Sequence, residues 1–100
     1  MQIGNYHLHR RALIAFQELQ PEEQAQVRDR LLALDPNLAA DWPATLARKV
    51  PGERPRYLVQ INDSLRALVE LKEGQQPEVL DIIPQEWLDF LAQSHARAGA

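Results

Sequence analysis

The chain contains no cysteine. That excludes a disulfide framework, a thiolate nucleophile and a cysteine-based zinc site, and it fits a cytoplasmic protein. No apolar run approaches the length of a membrane span. The N-terminus lacks a basic segment followed by an apolar one, so no signal peptide is expected. Internal repeats and low-complexity stretches are absent. So is any excess of positive charge: 11 Lys and Arg stand against 14 Asp and Glu, for a net charge of -3. A protein so charged does not bind nucleic acid by overall charge alone, although a local cluster of cations on an acidic body is still compatible with such binding.

What is present is an ordinary globular composition, 45% hydrophobic and 25% charged, in 100 residues. One domain spanning residues 1–100 is expected, with one modest core to which every long element contributes. Tyr6-His7-Leu8-His9 alternates apolar and polar, as a short strand does. Ala12, Leu13, Phe16 and Leu19 then recur at helical spacing. Pro21 ends that helix and opens another, where a missing N–H is harmless, and Glu22 and Glu23 suit the first turn of the new helix. Val27, Leu31 and Leu34 line its apolar face, and Asp35-Pro36-Asn37 stops it. Two helices separated so briefly predict a helix hairpin. Trp42-Pro43 marks a turn or an extended piece, Leu46 to Val50 reads as a short strand or a helical turn, and Pro51 to Pro55 is a loop by composition.

The pattern sharpens beyond this loop. Tyr57, Val59 and Ile61 share one face of a strand. Asn62-Asp63-Ser64 makes a tight connection, and Leu65, Ala67, Val69 and Leu71 fill one face of the return strand, with Arg66, Leu68 and Glu70 on the other. Lys72 to Pro77 is a second turn. Val79, Asp81 and Ile83 then alternate with Leu80 and Ile82, completing an antiparallel meander. Pro84 breaks it and can open a last helix carrying Trp87, Leu88, Phe90 and Leu91, followed by a frayed tail from His95 to Ala100. The fold class is α+β: a helix hairpin covers the apolar face of an antiparallel sheet, and a C-terminal helix packs at the sheet edge or on the other face.

The run Arg56-Tyr57-Leu58-Val59-Gln60-Ile61, leading into Leu65-Arg66-Ala67-Leu68-Val69 and then Val79-Leu80-Asp81-Ile82-Ile83, lies downstream of a short strand and a helix hairpin. This layout resembles the RelE/ParE superfamily of small bacterial toxins over the whole ordered length. The resemblance implies the toxin-like half of a toxin–antitoxin pair, with a cognate antitoxin as partner and no cofactor. Relatives resembling RelE cut messenger RNA on the ribosome with basic side chains on the open face of the sheet. Such chemistry needs a proton acceptor, positive charge for the phosphorane-like transition state, and an acid for the leaving oxygen. Arg66 matches the family arginine at the start of the third strand. Arg54 and Arg56 lie in the region that supplies further cations, and Lys49 is a fourth candidate for RNA contact. Cleaving relatives follow their last strand with a basic residue and then a tyrosine. Here Pro84-Gln85-Glu86-Trp87-Leu88-Asp89-Phe90 stands instead. That departure points to the alternative, a non-catalytic binding module directed at DNA gyrase, as in relatives resembling ParE, or at a partner protein alone.

Each candidate has a structural reading beside the functional one. Arg66 is either a functional cation or the ion-pair partner of Glu70 or Asp81, and Arg54 and Arg56 are either phosphate ligands or solvated loop charges. His7 and His9, two apart on a strand, face the same way, but a metal site needs a third ligand, and surface histidines on an edge strand are the expectation. Tyr6 and Tyr57 are packing residues, and Trp42 and Trp87 are core. Trp87, Phe90 and Leu91 alternatively form a docking face for an antitoxin segment. Asp81, among apolar neighbours, needs an arginine or a backbone N–H as partner.

Overall fold

The computed structural model describes residues 1–89. Expectations for Phe90, Leu91 and the tail from His95 lie outside them. The elements run β1 (Gln2–Ile3), β2 (Tyr6–Leu8), α1 (Arg10–Glu18), α2 (Pro21–Ala33), a 3-10 segment (Pro36–Asp41), β3 (Ala47–Lys49), β4 (Arg56–Gln60), β5 (Leu65–Glu70) and β6 (Glu78–Pro84). Residues 85–89 are helical. This is an α+β fold with its long helices ahead of the meander.

The sheet has six strands in the order β1-β2-β6-β5-β4-β3. It is mixed, which corrects the expectation of a purely antiparallel sheet. The meander β3–β6 is antiparallel throughout, but β2 runs parallel to β6, matching His7 with Glu78 and Leu8 with Val79. A parallel partner needs a crossover, and the stretch that includes both helices supplies it. β1 was not foreseen. It makes a hairpin with β2, so β2 is an interior strand and not an edge.

Both helices begin where side chains satisfy free backbone donors. His9 Nδ1 accepts from the Arg11 N–H at 3.4 Å. Ahead of α2, Glu23 Oε1 accepts from the Gln20 N–H at 3.4 Å, with Pro21 in the first turn. Phe16 and Val27 carry the helices into the core, and Arg28 lies over the Phe16 ring, 5.3 Å from its centroid. Tyr6 closes the far end of α2: its hydroxyl donates to the Leu34 carbonyl at 2.7 Å. Burial, together with the nearby Asp35 carboxylate, pushes the phenol pKa well above its ordinary value.

The core lies on one face of the sheet. Ala47, Val59, Ile61, Leu65, Ala67, Val69, Val79 and Ile82 are buried there against Ala12, Phe16, Val27, Leu31 and Leu34. β4 and β5 follow the expected alternation, with Tyr57 packed against this core. β6 does not. Leu68 pairs with Asp81 and Val69 with Val79, so Leu80 is an unpaired extra residue, a β-bulge. The bulge interrupts the alternation, so that the buried residues of this strand are Val79 and Ile82, three apart.

The region from Leu38 to Pro55 resolves into three pieces. Asp35 caps the 3-10 segment by accepting from the Asn37 N–H at 2.9 Å. Trp42 is half-buried. It donates to the Asp35 carbonyl and meets Tyr57 edge-on, with ring centroids 5.3 Å apart. Leu46 to Val50 contains a strand, β3, not a helical turn. Trp87 is 62% exposed, which corrects its assignment to the core.

Candidate functional site

The face of the sheet away from the long helices divides along its strands into a cleft and an ion-paired end. Because Ala47 is buried with its partner Val59, the next residue, Arg48, points to the opposite face with Leu58. Gln60 and Arg66 face each other across β4 and β5 on the same side. Together with Leu46 and with Gln85, Leu88 and Asp89 of the helical residues 85–89, they line a cleft of roughly 680 Å³. Residues 85–89 therefore sit over this face.

Arg66 is positioned by the hairpin that precedes it. Asn62 Oδ1 accepts from the Ser64 and Leu65 N–H groups at 2.7 and 2.9 Å, an Asx turn. Arg66 Nη1 then donates to the carbonyls of Asn62 (2.6 Å) and Leu65 (2.9 Å). It pairs with neither Glu70 nor Asp81, the two partners that its strand position suggested. One guanidinium nitrogen is thus spent on orientation, and the planar head is held at the cleft wall.

Arg54 and Arg56 lie elsewhere. Arg56 Nε is 3.4 Å from Glu70 Oε2, and Arg54 Nη1 is 3.8 Å from Glu70 Oε1. Glu70 is 6% exposed. It stands opposite Glu78 across β5 and β6, a like-charge pair that is unfavourable by itself. The two arginines offset the charge of Glu70, and Lys72 offsets Glu78 at 3.4 Å. Four residues separate Arg66 from Glu70, roughly 13 Å along a strand. The structure therefore does not bring Arg66 together with Arg54 and Arg56. Lys49 pairs with Tyr57 and belongs to the opposite, helix-side alternation. Asp81 accepts from the Ile82 N–H at 2.8 Å and lies 3.7 Å from Arg11 Nε, the two kinds of partner expected for it.

His7 and His9 are exposed, and His9 serves as the cap of α1. Among the described residues no three His, Asp or Glu side chains gather closely enough to hold a metal ion, and no helix is long and apolar enough to cross a membrane. Sequence reasoning missed Arg48, Gln60 and Gln85. Taking Leu46 to Val50 as a strand would have revealed Arg48, because an inward Ala47 forces its neighbour outward.

The cleft combines two guanidinium groups with apolar walls from Leu46, Leu58 and Leu88. It has one carboxylate, Asp89, which accepts from Gln85 Nε2 at 2.8 Å. It has no His, Lys or Tyr among its lining residues. Such a surface can bind a group that is part apolar and part anionic, and it offers few means of moving a proton. Compared with protein-family models, curated proteins and solved structures, the chain matches none.

Proposed function

We propose that this chain is the toxin-like component of a bacterial toxin–antitoxin pair, built on a RelE/ParE-like scaffold, and that it acts by binding protein rather than by cutting RNA. The element order supports the scaffold: a short strand, two helices and an antiparallel meander follow one another as that resemblance implies. The observation that carries the mode of action is the disposition of the arginines. Arg54 and Arg56 are held by a buried carboxylate, while Arg48 and Arg66 line a cleft with three leucines and Asp89.

Arginine is enriched at protein interfaces, and their fully buried centres are more apolar than the rest of the surface. Its charge suits a partner segment that presents a carboxylate beside an apolar side chain, and the partner we assign is the cognate antitoxin. Trp87 is exposed on the same helical turn, on a side other than the one that Gln85, Leu88 and Asp89 turn to the cleft. DNA gyrase is the target class for relatives that act by binding, and the cytoplasm is where such a protein works. One observation favours the RNA-cleaving reading: Arg48 and Arg66 share a cleft, so two cations could meet one phosphate.

Cell-free translation with the purified protein, followed by primer extension on the message, separates the two. Intact message, together with calorimetric binding of the antitoxin encoded beside this gene that weakens in Arg66→Ala, is the expected outcome. New cuts at codon boundaries, lost in Arg66→Ala, would overturn the binding reading in favour of a ribosome-dependent ribonuclease.

A further inference from the structure

We propose that Arg54 and Arg56 form an oxyanion-binding site that the chain fills with its own Glu70 carboxylate, masking two cations that would otherwise take phosphate groups. The inference stands on the geometry of this end of the sheet and does not depend on the toxin-like reading.

Three features build the site. The Arg56 N–H donates to the Arg54 carbonyl at 2.8 Å, a tight turn about Pro55 that sets the two arginines side by side. Val50 N–H donates to the Arg56 carbonyl and Leu71 N–H to the Pro55 carbonyl, at 2.8 and 2.9 Å. The turn is therefore fixed to β3 on one side and to the end of β5 on the other. Each oxygen of Glu70 then faces a different arginine. The exposures are unequal: the Glu70 side chain is 8% exposed, that of Arg56 35% and that of Arg54 70%. Here the anion is the enclosed group and the cations close over it from the solvent side. That is how a bound ligand sits, rather than how two solvated side chains pair.

Guanidinium groups recognise carboxylate and phosphate by the same planar donor geometry. A carboxylate withdrawn from water and set opposite Glu78 persists there only because cations meet it. Neutralising or retracting it should leave both arginines to external oxyanions, whether free phosphate or the phosphodiesters of a nucleic acid.

The test compares four proteins for binding of a fluorescent single-stranded oligouridine, by anisotropy, and of inorganic phosphate, by chemical-shift titration: wild type, Glu70→Gln, Glu70→Asp and Glu78→Gln. Glu70→Gln should bind the RNA about tenfold more tightly than wild type, the size of one charge-assisted contact. Glu78→Gln, with the same change in net charge on the same face, should gain much less. Adding Arg56→Gln to Glu70→Gln should abolish the gain. Glu70→Asp keeps the charge but shortens the reach, and it should gain in part; it also decides the matter if Glu70→Gln does not fold. A response to RNA and phosphate alike identifies a general oxyanion site, and a response to RNA alone identifies one fitted to phosphodiesters. Equal gains in Glu70→Gln and Glu78→Gln would overturn the proposal, as would no gain in either Glu70 variant.

Discussion

On the helix-covered side of the sheet, β4, β5 and β6 present Val59, Ala67, Val69 and Val79, each with no measurable exposure. On the other side, β4 and β5 present Arg56, Leu58 and Gln60 opposite Glu70, Leu68 and Arg66. The first set is interchangeable in kind: any well-shaped apolar side chain serves, and burial supplies the stabilisation. The second set is particular. Each charge has its own neighbour, and a swap of positions would strand a carboxylate or an arginine. One face therefore holds the molecule together, while the other carries the polar and charged groups that can meet a partner.

That contrast predicts how mutations divide. Leu31→Ala, at a site 1% exposed, should cost about 2–5 kcal/mol. Leu58→Ala, half-buried at the cleft, should cost about 1 kcal/mol. Chemical denaturation of both variants compares the same deletion on the two faces, and equal losses would mean that the cleft wall is core after all.

Tyr6→Phe should cost about 1 kcal/mol, the net worth of a buried hydrogen bond. Its pH dependence sharpens the contrast, because the phenol belongs to the covered side. The folded pKa lies above the unfolded one, so the folded state retains its proton after the unfolded chain has lost it. The Tyr6 contribution should be complete below about pH 10 and shrink as pH rises from there toward the folded pKa. Denaturation midpoints measured from neutral to alkaline pH should fall more steeply in wild type than in Tyr6→Phe.

Arg66→Ala should change stability least, by about 0.5 kcal/mol, since the Asn62 and Leu65 carbonyls it bonds lie at a half-exposed hairpin. Its effect should appear in partner binding instead, as a loss of about tenfold or more by titration calorimetry. A large fall in melting temperature with unchanged affinity would make Arg66 a hairpin brace and nothing else.

The covered face was the more legible of the two in the sequence. Period-2 spacing in Tyr57–Ile61 and Leu65–Val69, and helical spacing in Ala12–Leu34, follow directly from the need to bury one side of each element. The prolines at 21 and 84 marked boundaries for equally local reasons. The rest depends on interactions that cross the chain. Leu80 bulges on a strand paired with β5 on one side and β2 on the other, and no local rule announces that. β3 has only three residues, too few for periodicity to separate a strand from a turn. Glu70 reads from its strand position as a partner for Arg66, yet its environment is set by Arg54 and Arg56 from a different strand and loop. Arg66 looked like an ion-pairing residue from its strand position, whereas its guanidinium turns back to the carbonyls of its own hairpin. The size of Trp87 suggests the core, yet residue type alone does not say which side of residues 85–89 meets the sheet.

The pairing of His7 and Leu8 with Glu78 and Val79 also bears on how the molecule comes to be folded. Hairpins such as β4–β5 close short loops and can form early, but β2 finds its parallel neighbour only after nearly the whole described chain is available. The entropic penalty of closing so long a loop slows folding. During synthesis β2 and the helices would emerge long before β6, and the β2 flank that β6 later covers would stay open to mispairing until β6 docks.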